Sequence, residues 1–504
     1  MSDAPHSLMP LDWVIIVIYG LGMLAIGAYF SWRTKNTEDY LLGGRRMNPF
    51  GLGLSLFATM LSAISYLGFP GEMIKYGPQL IIGKLLCYPF VALVVGLLFI
   101  PFLMRLKITS AYAMLEERLG LSVRMLGSTM FLVARLMWMG MIIFTTSDKV
   151  LVPLLGFEAW TVPYLSLGLA AVTIMYTAMG GLRAVVLTDV IQSAILFFGA
   201  FLAIGIVAYH MGGAFAWWPT SWPEQWPDLE VVRTMGDRRP ILATALATFV
   251  WYVCTTGSDQ MAIQRYQATA NVREARKMLY FSLTASASAT ALVSIVGIAL
   301  FSYCTANPGF LGEGTLQEEP DRVFTMFIAG AMPPGITGLV MAGLLAAAMS
   351  SLSSGVNASC SVITSDFIDR FRAEPMEERT HVLLAKLISF FVGVAVVLLS
   401  LLIGRVEGNI ITMTYKFCNL LTAPLFGLFF MAMFVRFATP IGTLCGAAAG
   451  LAAVILISFW KDIFGTEGIG FLWAMPLGLL IQIGAGGIIS LVTPAKRDAE
   501  PDRG

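Results

Sequence analysis

Long apolar stretches of about twenty residues or more, separated by short polar segments, run along the whole chain. An α-helix of about that length crosses the hydrocarbon core of a bilayer with all of its backbone hydrogen bonds satisfied internally. With 57% hydrophobic and only 12% charged residues, the chain is too apolar for a soluble domain. The sequence therefore predicts an all-α polytopic membrane protein embedded in a lipid bilayer.

We predict thirteen transmembrane helices, numbered here as spans one to thirteen in chain order. The predicted spans cover residues 11–32, 50–75, 79–104, 123–150, 160–179, 186–210, 241–263, 278–303, 335–364, 382–404, 409–434, 440–460 and 469–492. The segments outside them are short and polar, so a single transmembrane domain is predicted over residues 1–504, ending in a cytoplasmic tail at 493–504.

The distribution of Lys and Arg predicts the orientation in the plasma (inner) membrane. Basic clusters follow spans one, three, seven and nine; after span seven, for example, come Arg265, Arg273, Arg276 and Lys277. Such clusters are typical of cytoplasmic loops, which places the N-terminus outside and the C-terminus in the cytoplasm. The net charge of +1 provides no basic surface for nucleic acid, and nothing in the sequence indicates an obligate protein partner.

Span two is predicted to be discontinuous. Within SAISYLGFPGE (62–72), Gly68 and Pro70 should interrupt the helical hydrogen bonds about two-thirds of the way along the span. Carbonyls freed at that depth must line a cavity or bind a cation, although a packed proline kink is the alternative. Span seven, with TTGSDQ (255–260), is polar but is not predicted to be formally broken.

Spans two and seven each open a block of five helices, and discontinuous helices at corresponding positions of two repeats mark the binding sites of many transporters. This pattern predicts one leading helix (11–32), two five-helix repeats (50–210 and 241–434) and two trailing helices (440–492).

A stripe of small polar residues runs along span nine. Ser350, Ser353, Ser354 and Asn357 lie at i, i+3, i+4 and i+7, on one helical face. Small hydroxyl residues also allow close helix packing, which is one explanation for them. The other is a sodium site, because hard cations prefer oxygen ligands and hydroxyls supply these without buried charge.

Four segments, in this order, resemble the sodium/solute symporter family, which includes sodium/glucose, proline, sialic acid, multivitamin, monocarboxylate and iodide transporters. They are FATMLSAISYLGFPGE (57–72), MGGLRAVVLTDVIQ (179–192), SDQMAIQRYQATANVREA (258–275) and LLAAAMSSLSSGVNASCSVITSDF (344–367). The resemblance extends over nearly the whole chain. It implies a five-plus-five inverted-repeat (LeuT-type) core with one extra N-terminal and two extra C-terminal helices.

The resemblance also implies sodium as the coupling ion and suggests two sites for it. The first would use the carbonyls of Ala58, Leu61 and Ala347 with the hydroxyls of Ser350 and Ser351. A second site, found in only some members of the family, would use Asp189, Ser350, Ser353 and Ser354. The alternative for Asp189 is a helix N-cap, a role that Thr188 could also fill.

Three basic residues inside predicted spans indicate an anionic solute, because intramembrane charges are rare and usually functional. They are Lys84 in span three, Arg135 in span four and Lys416 in span eleven. Each lysine could instead extend to the headgroups. Arg135 could simply pair with a carboxylate such as Asp259.

Comparison with the sugar carriers of the family supports an anion. Lys84 and Lys416 resemble positions where sugar carriers place an acidic residue and an amide, while Tyr252 and Thr255 resemble those of an asparagine and a gating aromatic. The other candidates for solute binding lie in or just after span two: Thr59, Ser62, Ser65, Tyr66 and Gln79.

The sequence thus predicts a sodium-coupled symporter that imports a small organic anion, such as a sialic acid or a monocarboxylate, with two sodium ions per solute. A sodium/neutral sugar or polyol symporter is the alternative, and a membrane-embedded sensor or channel is the alternative of another class. An enzyme is not expected, because His6, His210 and His381 lie at membrane edges or tails and leave the serines without a base.

Overall fold

The computed structural model describes residues 8–34, 36–105, 109–232, 240–311, 315–403, 420–466 and 468–493, and every regular element within them is helical. The α-helices of six or more residues are α1 (Pro10–Arg33), α2 (Thr37–Leu42), α3 (Pro49–Met60), α4 (Ala63–Tyr76), α5 (Gln79–Val94), α6 (Ala113–Leu119), α7 (Leu121–Thr146), α8 (Val162–His210), α9 (Ile241–Ser258), α10 (Gln260–Gln267), α11 (Val272–Ala306), α12 (Pro320–Ala331), α13 (Ile336–Val362), α14 (Glu378–Ile403), α15 (Thr422–Phe434), α16 (Pro440–Ser458) and α17 (Ala474–Val492).

The prediction of an all-α polytopic membrane protein is confirmed. In the described ranges, ten helices are long and apolar enough to cross a membrane, and the bent pair α3 and α4 makes an eleventh if it counts as one span. Span eleven is described only from residue 420 onward, so the count of thirteen stays a prediction.

Span two breaks between α3 and α4, whose axes differ by 63°. Leu61 and Ser62 adopt extended conformations there. The predicted position of the break is wrong, because Gly68 and Pro70 both lie inside α4. Close packing accommodates Pro70: a Cβ on Gly297 of α11 would lie 2.8 Å from the Pro70 Cα atom.

Span seven is also broken, and the expectation that it is merely polar is wrong. Asp259 is extended between α9 and α10 (φ −82°, ψ 130°), and its carboxylate accepts a hydrogen bond of 2.8 Å from the Met261 N–H. Aspartate at this position is a strong N-cap because its side chain satisfies a backbone donor that the helix leaves free. The first helix of each predicted repeat is therefore discontinuous.

Spans five and six form one long element, α8, with a sharp kink at Gly181 (φ 61°, ψ −158°). Only glycine adopts this conformation without strain, and the backbone of α2 leaves no room for a side chain. A Cβ on Gly181 would lie 2.5 Å from the Tyr40 carbonyl oxygen. The kink separates the two halves of α8 between the predicted spans 160–179 and 186–210.

Helix α13 lies at the centre of the fold, against α1, α3, α7, α8 and α14, and is buried along almost its whole length. Its N-terminus is held by the leading helix, since one Asp12 carboxylate oxygen accepts hydrogen bonds of 2.7 Å from both Gly335 and Gly338. Through π and 3₁₀ turns, the element continues to Phe371. The serine stripe is thereby fixed in the middle of the molecule.

Gly181→Ala should lower the free energy of unfolding by about 1–3 kcal/mol, because alanine would be strained at positive φ and would collide with the Tyr40 carbonyl. Thermal unfolding of the purified protein in detergent measures this loss. Gly168→Ala is the matched control on the same helix, where a Cβ meets nothing within 4 Å. Equal stability of the two variants would contradict the assignment of the kink to Gly181.

Candidate cation and solute sites at the two helix breaks

The hydroxyls of α13 meet the last carbonyls of α3 at the first break. Ser350 Oγ donates to the Ala58 carbonyl at 3.0 Å and lies 3.3 Å from the Ala347 carbonyl. Ser351 Oγ donates to the Thr59 carbonyl at 3.1 Å. The carbonyls of Ala58 and Thr59 lie in the last turn of α3, where no following helical N–H is available to them.

The residues predicted for the first sodium site surround this junction. Ala58, Ala347 and Ser350 are brought into direct contact, and Leu61 is the residue that ends α3. Ser351 faces the neighbouring carbonyl of Thr59 instead. The donor set of carbonyl and hydroxyl oxygens suits a hard monovalent cation.

Thr59, predicted to bind solute, is fully buried among the serines. Its hydroxyl lies 2.7 Å from both the Ser55 carbonyl and Ser354 Oγ. Ser353 Oγ donates to the Ser350 carbonyl at 3.0 Å. Thr59 thus connects the α3 break to the lower part of the stripe, where the second site is predicted.

Asp189 is fully buried in the second half of α8. Ser55 Oγ donates to Asp189 Oδ2 at 2.5 Å, and Ser354 Oγ lies 3.5 Å from the same atom. Asp189 Oδ1 has no hydrogen-bond partner within the described part of the chain. The N-cap alternative for Asp189 is wrong, because the residue lies inside a continuous helical half. A buried carboxylate oxygen without a donor fits a cation.

Arg265 and Ser55 belong to this cluster, and sequence reasoning missed both. Arg265 Nη2 lies 2.6 Å from Ser354 Oγ and 3.4 Å from Asp189 Oδ2, while its Nε donates to Ser55 Oγ at 2.9 Å. Arg265 was expected in a cytoplasmic loop, but it is fully buried in α10. The helical spacing of Ser55 and Thr59 on α3 could have indicated Ser55.

At the second break, Arg135 of α7 pairs with Asp259, and both residues are buried. Its guanidinium carbon also lies 4.7 Å from the Trp138 ring centroid. The pairing considered from the sequence is therefore the arrangement in this structure. A buried, planar guanidinium beside an aromatic ring is well suited to bind a carboxylate.

Lys84 is half-buried in α5, and its Nζ lies 4.0 Å from the Phe69 ring centroid of α4. No salt bridge joins it to a carboxylate of the described chain. Lys416 lies outside the described residues.

The remaining predicted solute residues face different neighbours. Tyr66 donates to the Leu196 carbonyl of α8 at 3.0 Å, whereas Gln79 donates to the Asp228 carbonyl, between α8 and α9, at 2.5 Å. Tyr252 Oη lies 3.1 Å from the hydroxyl of Tyr88, a residue that sequence reasoning missed.

Three further positions lie at the breaks themselves. Ser62 is the buried residue that precedes α4, Ser65 is half-buried one turn later, and Thr255 is buried in the last turn of α9. The Thr255 hydroxyl has no hydrogen-bond partner among the residues described.

At the opposite end of α13 from Asp12, an ion network connects three elements. Arg124 of α7 binds Asp366 and Glu116 at 2.6 Å each, and Arg370 binds Glu116 at 2.5 Å. Hydrogen bonds from Arg370, reinforced by Arg124, lower the pKa of Glu116 from 4.5 to about 2. The network holds α6 and α7 against the end of the α13 element.

Because its pKa is lowered in the folded state, Glu116 stabilises the fold above about pH 4.5, and this contribution is lost as the pH falls towards about 2. Glu116→Gln should therefore unfold at a lower temperature than the unmodified protein at pH 7, with the difference shrinking as the pH approaches 3. Thermal unfolding between pH 7 and pH 3 measures this. A difference that stays constant over the range would contradict the role of the Glu116 charge. Glu158→Gln, which changes an exposed carboxylate outside the network, is the control.

Comparisons with known proteins agree with this geometry. A family model, described as the sodium:solute symporter family, matches residues 40–450. The chain is 28% identical to the sodium/sialic acid symporter SiaT of Proteus mirabilis (strain HI4320), over 98% of this chain and 97% of that protein. It is also 28% identical to the sodium-dependent multivitamin transporter of Oryctolagus cuniculus, over 92% of this chain and 72% of that protein.

Among solved structures, the chain resembles the substrate-bound, outward-open state of a sodium-coupled sialic acid symporter. The TM-score is 0.82 at 27% identity, with 97% of this chain and 99% of that chain covered. The family match at residues 40–450 includes both helix breaks and the whole serine stripe.

Proposed function

This chain belongs to the sodium:solute symporter family, and we propose that it imports a small organic anion together with sodium by alternating access. Sodium is the coupling ion of the family. The observation that carries the proposal is the contact between Ser350 Oγ and the Ala58 carbonyl, which closes a serine-rich helix onto a broken one. A cation bound there would hold the two helices together, and its release would let them separate.

We propose a first sodium site formed by the carbonyls of Ala58, Leu61 and Ala347 and the hydroxyls of Ser350 and Ser351. The contacts at the α3 break support this assignment, because they already gather uncharged oxygens from two helices. A monovalent ion needs no buried carboxylate to balance it in such a donor set.

A second sodium ion is proposed at Asp189, Ser350, Ser353 and Ser354, with Ser55 beside them. The buried Asp189 oxygen without a hydrogen-bond partner supports this position. Two sodium ions with a monoanion carry one net positive charge inward, which a membrane potential of 100 mV favours by about 2.3 kcal/mol.

The proposed solute carries a carboxylate that binds near Arg135, with Lys84 as a second cationic group. A half-buried ammonium held over Phe69 without an acidic partner among the described residues supports this class of solute. Two of the similar proteins are symporters of sialic acid, which is a carboxylic acid. Charge-assisted hydrogen bonds would favour such a solute over a neutral sugar.

The proposed topology has thirteen crossings of the inner membrane, with an inverted repeat of five plus five helices. The N-terminus lies outside and the C-terminus lies in the cytoplasm. The basic residues after α13, such as Arg370 and Arg372, support this orientation.

Ser350→Ala should abolish the thermal stabilisation by sodium, lowering the sodium affinity by about tenfold or more, which corresponds to about 1.4 kcal/mol. The loss follows because Ser350 contributes to both proposed sites. Thermal unfolding of the purified protein in sodium against choline chloride measures it. Ser359→Ala changes another buried serine of the same helix, outside both sites, and should respond to sodium normally. An intact sodium response in Ser350→Ala would refute the assignment.

Lys84→Ala should lower the affinity for carboxylates by about tenfold while leaving the response to sodium intact, because an ammonium to carboxylate hydrogen bond is lost. The measurement is thermal stabilisation in sodium by N-acetylneuraminic acid, pyruvate and glucose. Lys149→Ala, which removes a lysine paired with Asp148, is the matched control. Stabilisation of the unmodified protein by glucose alone would overturn the proposal of an anionic solute.

A further inference from the structure

Helix α10 bears a buried charge near each end, and each charge is paired with a different site. Asp259, the N-cap residue that precedes α10, binds Arg135 at the proposed solute site. Arg265, in the last turn of α10, binds Asp189 at the proposed second sodium site. All four side chains are buried, so neither pair is exposed to the screening of bulk water.

The guanidinium of Arg265 lies among the oxygens gathered at the proposed second sodium site. It donates to the hydroxyls of Ser55 and Ser354 and faces the carboxylate of Asp189. Its remaining nitrogen, Nη1, donates to the Met261 carbonyl of its own helix at 2.8 Å. Arg265 is therefore an internal cation fixed to α10.

The carboxylate of Asp259 is correspondingly an internal anion at the other end of α10. It binds Arg135, the group proposed to receive the solute carboxylate, and it accepts a hydrogen bond from the Met261 N–H. Arg265 lies six positions further along the chain, which corresponds to about 9 Å along the helix. At this distance in a poorly polarisable interior, the two charges act on each other.

We propose that α10 couples sodium to solute by exchanging counter-ions. A sodium ion at Asp189 releases Arg265, an anionic solute at Arg135 releases Asp259, and the two released charges on one helix then compensate each other. This inference rests on the proposed function, since it takes Asp189 and Arg135 as the binding groups.

The charge balance explains why the two ligands would bind together. Arg135, Asp259, Asp189 and Arg265 sum to zero. Sodium alone would leave one excess positive charge in the buried cluster, and the anion alone would leave one excess negative charge. Both together restore neutrality, and because Arg265 and Asp259 lie on one helix, the charge released at one end of α10 is compensated by the charge released at the other. Each ligand therefore raises the affinity for the other through α10.

Sodium binding without solute tests the first half of the exchange. Arg265→Gln removes the internal competitor and should tighten sodium binding by about tenfold. Adding Asp189→Asn to that variant should abolish the gain. Sodium titrations of the purified full-length protein, followed by thermal stabilisation, give these affinities. Unchanged or weaker sodium binding in Arg265→Gln would overturn the exchange. Arg265→Lys keeps the positive charge but loses the planar set of donors, and it serves as a second variant if Arg265→Gln folds poorly. Its sodium affinity should be higher than that of the unmodified protein but less than about tenfold higher.

Cooperativity between sodium and solute binding tests the second half of the exchange, in which the anion releases Asp259. N-acetylneuraminic acid should lower the sodium dissociation constant of the unmodified protein, and in Asp259→Asn/Arg265→Gln this effect should fall to less than about twofold. Arg183→Gln, which breaks a peripheral pair with Asp39, should retain the full effect of N-acetylneuraminic acid on sodium binding. Full cooperativity in the double variant would overturn the role of α10. A lack of any sodium-dependent response to carboxylates in the unmodified protein would instead count against the proposed function, and the sodium-only titrations would still decide the exchange at Asp189.

Discussion

The contact between the hydroxyls of α13 and the carbonyls at the end of α3 is the constraint on which the remaining arrangement depends. A helix that stops inside a membrane exposes backbone oxygens that lipid cannot satisfy. Here Ser350 and Ser351 cover the carbonyls of Ala58 and Thr59 at 3.0 and 3.1 Å. The interaction is polar but uncharged, so it holds the break closed and still leaves oxygens that a cation could share.

Two buried ion pairs involve the ends of α10, and their energetics differ from those of the serine junction. Breaking a buried ion pair by removing one partner costs about 3–5 kcal/mol, far more than the loss of a hydroxyl contact. The pairs Arg135 with Asp259 and Arg265 with Asp189 therefore resist opening unless ligands of the same charge replace the departing partner. Helix α10 connects the proposed solute site to the proposed second sodium site over only eight residues.

The sequence predicted the helical class and the serine stripe well, because both depend on periodicity and composition. It predicted the positions of the breaks poorly, since Leu61 and Ser62 have no helix-breaking character and Pro70 is accommodated by Gly297. Asp259 could have been identified as an N-cap. The burial of Arg265 could not have been predicted, because a basic residue at the end of an apolar span usually lies in a cytoplasmic loop. Its burial is decided by partners distant in the sequence, Ser55, Asp189 and Ser354.

The capping of α13 by Asp12 has a consequence for biogenesis. The N–H groups of Gly335 and Gly338 donate to Asp12 Oδ1. These glycines follow Asp12 in the sequence by 323 and 326 residues. A ribosome adding about 5–20 residues each second needs at least about sixteen seconds to supply them. Throughout that interval Asp12 Oδ1 lacks these two donors, while Asp12 Oδ2 can already accept the hydrogen bond from the Met9 N–H of its own helix. The full set of hydrogen bonds to Asp12 is thus available only once about two-thirds of the polypeptide has been synthesised.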